Sequence, residues 1–138
     1  MKLTKTNKEV KQLLQEVIIL INYCGTNKIK NIILNTMLFR NFDLLDSTSK
    51  IIDKSVSQEL KDLEEKVLKL IENTDNNFYQ GIKMLSTEEQ LRHTELKEQY
   101  EKDMLEEIEI DLFLIDVEKI ENVEFDTAES QILNHFLK

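Results

Sequence analysis

A chain of 138 residues with no proline and only two glycines, Gly25 and Gly81, lacks the punctuation that all-β folds need for their turns. Helices are free to run long, so the expected class is mainly α. The spacing of apolar residues points the same way. Val10, Leu13, Leu14, Val17, Ile18 and Ile21 recur at helical intervals, after Thr6-Asn7-Lys8-Glu9, which has the form of a capping box. A first helix is predicted from about Asn7 to Tyr23, with Gly25 as its left-handed cap residue.

A second helical pattern begins near Asn27 and carries Ile29, Ile32, Ile33, Met37 and Leu38, then continues through Leu44, Leu45, Ile51 and Ile52 to Leu70 and Ile71. It reads as one long helix, or as two pieces broken at the weak helix formers Asp46-Ser47-Thr48-Ser49. Within it, Ile52, Val56, Leu60, Leu63, Val67 and Leu70, spaced 4, 4, 3, 4 and 3, form a heptad-like seam suited to a second helix, in the same chain or in another copy. Asn73–Asn77 is a turn, the following residues 78–85 admit a short strand, and Ser86-Thr87-Glu88-Glu89 opens a charged helix with a narrow apolar stripe.

One stretch departs from helical counting. From Glu107 to Ile115, Ile108, Ile110, Leu112 and Leu114 alternate with Glu109, Asp111 and Phe113, the pattern of a half-buried strand. Glu109 and Asp111 belong to its outer face. Phe113 and Ile115 place apolar surface there too, so the far end of the strand should be covered on both sides. A helical turn at 116–121, a brief strand at Val123-Glu124-Phe125 and a closing helix capped by Asp126 complete the chain. The expected architecture is an antiparallel helical bundle or hairpin with two or three short strands in the C-terminal third. A single domain is expected over 1–138, made of a helical region 1–72, a middle region 73–106 and a strand-containing region 107–138.

Charge narrows the partners. The formal net charge is -9, and from Glu95 onward 14 acidic residues stand against 4 basic ones. That surface disfavours direct contact with nucleic acid or an anionic membrane. A nucleic-acid mimic built on Glu95, Glu98, Glu106, Glu109, Asp111 and Glu124 is diluted by Lys97 and Lys102, and a solubilising face is the preferred reading. The first thirty residues are instead basic, with Lys2, Lys5, Lys8, Lys11, Lys28 and Lys30 against Glu9 and Glu16. The apolar run Val17–Ile21 is too short for a signal peptide or a membrane span, and lone Cys24 is expected to be a buried structural thiol, which points to a cytoplasmic protein.

The residues of chemistry do not assemble into a motif. His93 has Glu89 one turn before it, fewer ligands than a metal site needs, and His135 near the C-terminus is explained by the helix dipole. No Gly-rich phosphate loop, nucleophile with a base, or carboxylate pair in a cleft is recognisable. The expectation is a protein that is not an enzyme, with no catalytic, metal or cofactor residues. The candidate interface comprises Ile52, Val56, Leu63, Val67 and Leu70 of the seam together with Glu109, Asp111, Phe113 and Ile115.

The order of these elements resembles that of small uncharacterised proteins encoded by tailed phages of low-GC Gram-positive bacteria. The likeness rests on the amphipathic first helix, on Arg40-Asn41 and Leu44-Leu45 in the long helical region, and on the tail from Leu105-Glu106-Glu107-Ile108-Glu109-Ile110 through Val123-Glu124-Phe125-Asp126-Thr127-Ala128-Glu129. The resemblance implies a host-cytoplasmic accessory protein that binds and inhibits a bacterial defence protein or sequesters its signal, with a virion structural or assembly factor and a small enzyme as alternatives. It implies a host protein as partner, and the seam adds a homo-oligomer, a dimer or larger.

Overall fold

The computed structural model describes residues 2–138 and is mainly helical. Its elements are β1 (Lys2–Thr6), α1 (Asn7–Thr26), α2 (Ile32–Ser55), α3 (Gln58–Ile71), α4 (Phe78–Lys83), α5 (Thr87–Met104), β2 (Glu107–Asp111) and α6 (Thr127–Leu133), with 3-10 turns at Val117–Ile120 and Asn134–Phe136. The chain forms two compact units. One runs to Ile52 and resumes at Glu106–Lys138; the other is Asp53–Leu105.

In the first unit α1 starts where the sequence says it should. The Thr6 hydroxyl accepts from the Glu9 amide at 3.1 Å, and the Glu9 carboxylate accepts from the Thr6 amide at 3.0 Å. That second bond is the main reason the Glu9 carboxyl is held below its ordinary range. Gly25 is not the cap residue: α1 runs past it to Thr26, and the left-handed conformation falls on Lys28, with φ 53°. Cys24 is buried, and burial pushes its thiol above the usual value, as suits a structural sulfhydryl.

The β element is where sequence and structure differ most. It is a two-stranded antiparallel sheet, and its first strand is N-terminal: Leu3 faces Ile110 and Thr6 faces Glu107. The predicted alternation in 107–115 is observed, with Ile110 and Leu112 buried and Glu109, Asp111 and Phe113 outward, but the ladder with β1 stops at Asp111. Beyond that point the backbone finds other partners. Asn41 of α2, fully buried, accepts from the Phe113 amide and donates to the Phe113 carbonyl, both at 2.8 Å. Two residues on, the Ile115 amide donates to Phe136 and the Ile115 carbonyl accepts from Lys138. The core around this seam holds Val10, Val17, Leu20, Leu34, Leu38, Leu45, Leu112 and Phe136. The expected strand at Val123–Phe125 is not formed, and these residues pair with no strand.

Helix α2 passes straight through the expected weak point. Thr48 bonds back to the Leu44 carbonyl and buried Ser49 accepts from Lys11 of α1. The break comes instead at Val56-Ser57, because Ser57 caps α3 by accepting from the Leu60 amide.

The second unit is a set of three helices. The predicted short strand at 78–85 is a helix, since Asn77 and Gln80 make a reciprocal capping box that starts α4. Gly81 lets α4 approach α3 closely. A Cβ there would lie 2.6 Å from Ile71 Cγ2 and 2.8 Å from Val67 Cγ1. Helix α5 opens with the expected Ser86–Glu89 box and pairs with α3 through a bidentate Arg92–Glu59 contact and a Lys66–Glu89 contact, all at 2.7 Å. These hydrogen bonds hold the Glu59 and Glu89 carboxyls below their ordinary values.

The strand register has a direct test. Ile110→Asp buries a carboxylate against the core and should cost at least about 3 kcal/mol, whereas exposed Glu109→Lys should change stability by less than about 0.5 kcal/mol. Denaturant unfolding of the two variants reads the difference; equal losses would contradict the observed register.

Candidate functional site

The predicted seam is largely consumed within the chain. Ile52 and Val67 are buried, and Val56, Leu63 and Leu70 are half-buried, with α3 packed on α4 and α5. Glu109 and Asp111 lie exposed on β2, and cross-strand from Asp111 is Lys2. Phe113 is 43% exposed beneath the Arg40 guanidinium, 5.3 Å from its ring centre, while Ile115 is half-covered by its bridge to Leu137. All of the seam but Ile52 belongs to the second unit, and the four strand residues belong to the first. Among the described residues no group of three or more His, Cys, Asp and Glu side chains is placed to hold a metal ion, and no helix is long and apolar enough to cross a membrane.

The two histidines take roles that the sequence does not suggest. His93 is buried beside Phe78, with Nε2 3.6 Å from Glu64 and no hydrogen-bond partner. His135 reaches Glu16 on α1, with Nδ1 2.6 Å from its carboxylate, and so ties the C-terminal segment to the first helix.

A cleft of about 780 Å³ opens in the first unit, between residues 27–31 and 122–126. That size falls within the usual range for small-molecule pockets. Its walls are set by local chemistry. At the end of α1 the Ile29 amide donates to the Cys24 carbonyl and the Lys28 amide to the Gly25 carbonyl, the paired bonds of a helix closed by a left-handed residue. Asn31 then starts α2 by accepting from the Leu34 amide, and its side-chain amide donates to the Lys119 carbonyl. Phe125 of the opposite wall stacks on Tyr23, ring centres 5.3 Å apart, and the Asp126 amide donates to the Tyr23 hydroxyl. The cleft is held open by backbone and amide bonds on both sides.

What faces the cleft is polar, and part of it is already engaged, since the Asn27 side-chain amide donates to the Tyr23 carbonyl at 2.9 Å. Among the described residues, Lys28 and Lys30 on one wall make no ion pair, nor do Glu124 and Asp126 on the other, and Asn27 and Asn122 contribute further amide groups. Lysine in the left-handed region costs about 1 kcal/mol against glycine, so the chain keeps a strained residue where it offers a cation to this opening. By charge, the lysine wall is complementary to an anionic group and the carboxylate wall to hydrogen-bond donors. The sequence does not announce this site, because its walls lie about ninety residues apart; the hint available is Lys28 and Lys30 among asparagines at a helix junction. No family model, curated protein or solved structure matches the chain.

Replacing Lys28 by glycine separates strain from function. Lys28→Gly should raise the unfolding free energy by up to about 1 kcal/mol by relieving the left-handed residue. A measurable loss of stability in thermal or denaturant unfolding would contradict this account of the α1 terminus.

Proposed function

We propose that the protein is a non-enzymatic, phage-type accessory protein that works by binding, and that in the host cytoplasm it blunts a bacterial defence by holding the small anionic signal of that defence. The reading joins the phage-like layout of the chain to one observation, the cleft whose two lysines and two carboxylates lack ion-pair partners of their own among the described residues. A phosphate suits Lys28 and Lys30. Glu124 and Asp126 would repel a simple polyanion, yet they suit ribose hydroxyls or the amino group of a base. Asn27 and Asn122 add donors and acceptors, and the Tyr23–Phe125 pair supplies aromatic surface beside them. A nucleoside phosphate combines all of these groups in one molecule.

Calorimetric titration with adenosine and guanosine 5′-monophosphate, with inorganic phosphate as control, tests the ligand class. Saturable binding of at least one nucleotide in the millimolar range or tighter is expected, weakened about ten-fold or more in Lys28→Glu/Lys30→Glu. Absence of binding for both nucleotides, or equal binding by the double variant, would contradict the proposal. Capture from infected-cell lysate tests the setting: recovery of phage capsid or tail proteins in place of defence components would make the protein a virion factor.

A further inference from the structure

We infer that the outer face of α2 is a self-complementary surface that pairs with the α2 of a second copy, antiparallel, about a two-fold axis passing between Asn41 and Phe42. This pairing does not depend on the ligand reading. Exposure is the first sign of it: the two most exposed large apolar side chains of the described residues, Ile32 at 84% and Ile51 at 68%, both lie on α2. Between them, Thr36, Arg40, Asp43 and Ser47 are also exposed. The six positions are spaced 4, 4, 3, 4 and 4, and at about 100° per residue they fall within an arc of about 100°. A band this narrow can face one partner helix along its length.

Six of the exposed residues in this arc read alike in both directions: apolar, hydroxyl, cation, anion, hydroxyl, apolar; exposed Ile33 and Lys50 lie at its two edges, and Lys54 lies beyond its C-terminal end. A second α2 laid antiparallel sets Ile32 against the partner's Ile51, Thr36 against the partner's Ser47 and Arg40 against the partner's Asp43, and the two-fold axis repeats each contact. Two copies therefore make two Arg–Asp pairs at the centre and cover an isoleucine pair at each end. A parallel pairing in register would instead oppose Arg40 to the partner's Arg40 and gains nothing from the sequence.

Local structure prepares this surface. Arg40 rests over the Phe113 ring, which holds its guanidinium on the α2 face, and Asp43 makes no ion pair among the described residues. The pairing would also place the exposed Phe113 beside the new interface, giving its outward aromatic a reason. One helix pair is smaller than a standard interface, so a dimer of micromolar affinity is expected.

Charge exchange provides the test, read by sedimentation equilibrium between about 10 and 200 µM, concentrations that bracket a micromolar dimer. The wild type should approach twice the 16.3 kDa chain mass. Arg40→Asp and Asp43→Arg should each stay monomeric, since each opposes like charges twice. Mixed in equal amounts they should associate, because every opposed pair is then of opposite sign, and Arg40→Asp/Asp43→Arg should dimerise alone. A monomeric wild type at the highest concentration, single variants that dimerise as well as wild type, or a mixture that stays monomeric would each overturn the inference. Should Arg40→Asp lose its fold by circular dichroism, Thr36→Cys/Ser47→Cys gives an independent test. Oxidation should yield a covalent dimer for the double variant and none for either single variant; any other pattern refutes the antiparallel register.

Discussion

The first unit depends on one buried polar group. The Asn41 side chain is fully enclosed on a helix whose inward face is otherwise built largely from Leu34, Met37, Leu38 and Leu45, and it has two hydrogen bonds to the backbone of a single residue, Phe113. An amide placed this way acts as one rung of a strand ladder. Each bond contributes only about 1 kcal/mol net, but leaving these groups unpaired in the core would cost about 1–3 kcal/mol apiece. The geometry also sets side-chain direction. With Phe113 fixed outward, Leu112 must turn inward, where it is 1% exposed, and the chain is delivered to the C-terminal segment that pairs with Ile115.

Asn41 also explains why a nine-residue alternation becomes a five-residue strand. The apolar register of 107–115 is legible in the sequence because burial alone imposes a period of two. Its partners are not, because they come from three places: β1 as far as Asp111, Asn41 at Phe113, and the C-terminal residues at Ile115. The N-terminal strand Lys2-Leu3-Thr4-Lys5-Thr6 has too little apolar content to announce itself, and backbone bonds to a segment about a hundred residues away hold it. Local rules hold where the interaction is local. The boxes at Thr6–Glu9 and Ser86–Glu89 are formed as their residues predict, whereas the Asn77–Gln80 box stands before aromatic and branched residues that read as a strand and fold as α4. The residues of the apolar seam from Ile52 to Leu70 are wholly or half buried, and α3 packs on α4 and α5.

The uneven charge of the sequence takes on spatial meaning in the cleft. Lys28 and Lys30 come from the basic first thirty residues, and Glu124 and Asp126 from the acidic last third. The fold brings both to one opening and leaves them without mutual ion pairs, while the Tyr23–Phe125 stack and the Asn31–Lys119 bond fix the distance between the walls. Neither wall has a binding motif of its own. The opening is assembled by tertiary placement, which is why short motifs alone do not disclose it.

The claim that Asn41 completes the ladder is most directly tested by amide hydrogen exchange at Phe113, compared between the wild type and Asn41→Leu. A leucine of similar volume keeps the core filled and removes both bonds. The Phe113 amide should be protected in the wild type and exchange at least about ten-fold faster in the variant, while amides of the β1–β2 ladder retain most of their protection. A Phe113 amide that exchanges freely in the wild type, or is equally protected in both proteins, would contradict that claim.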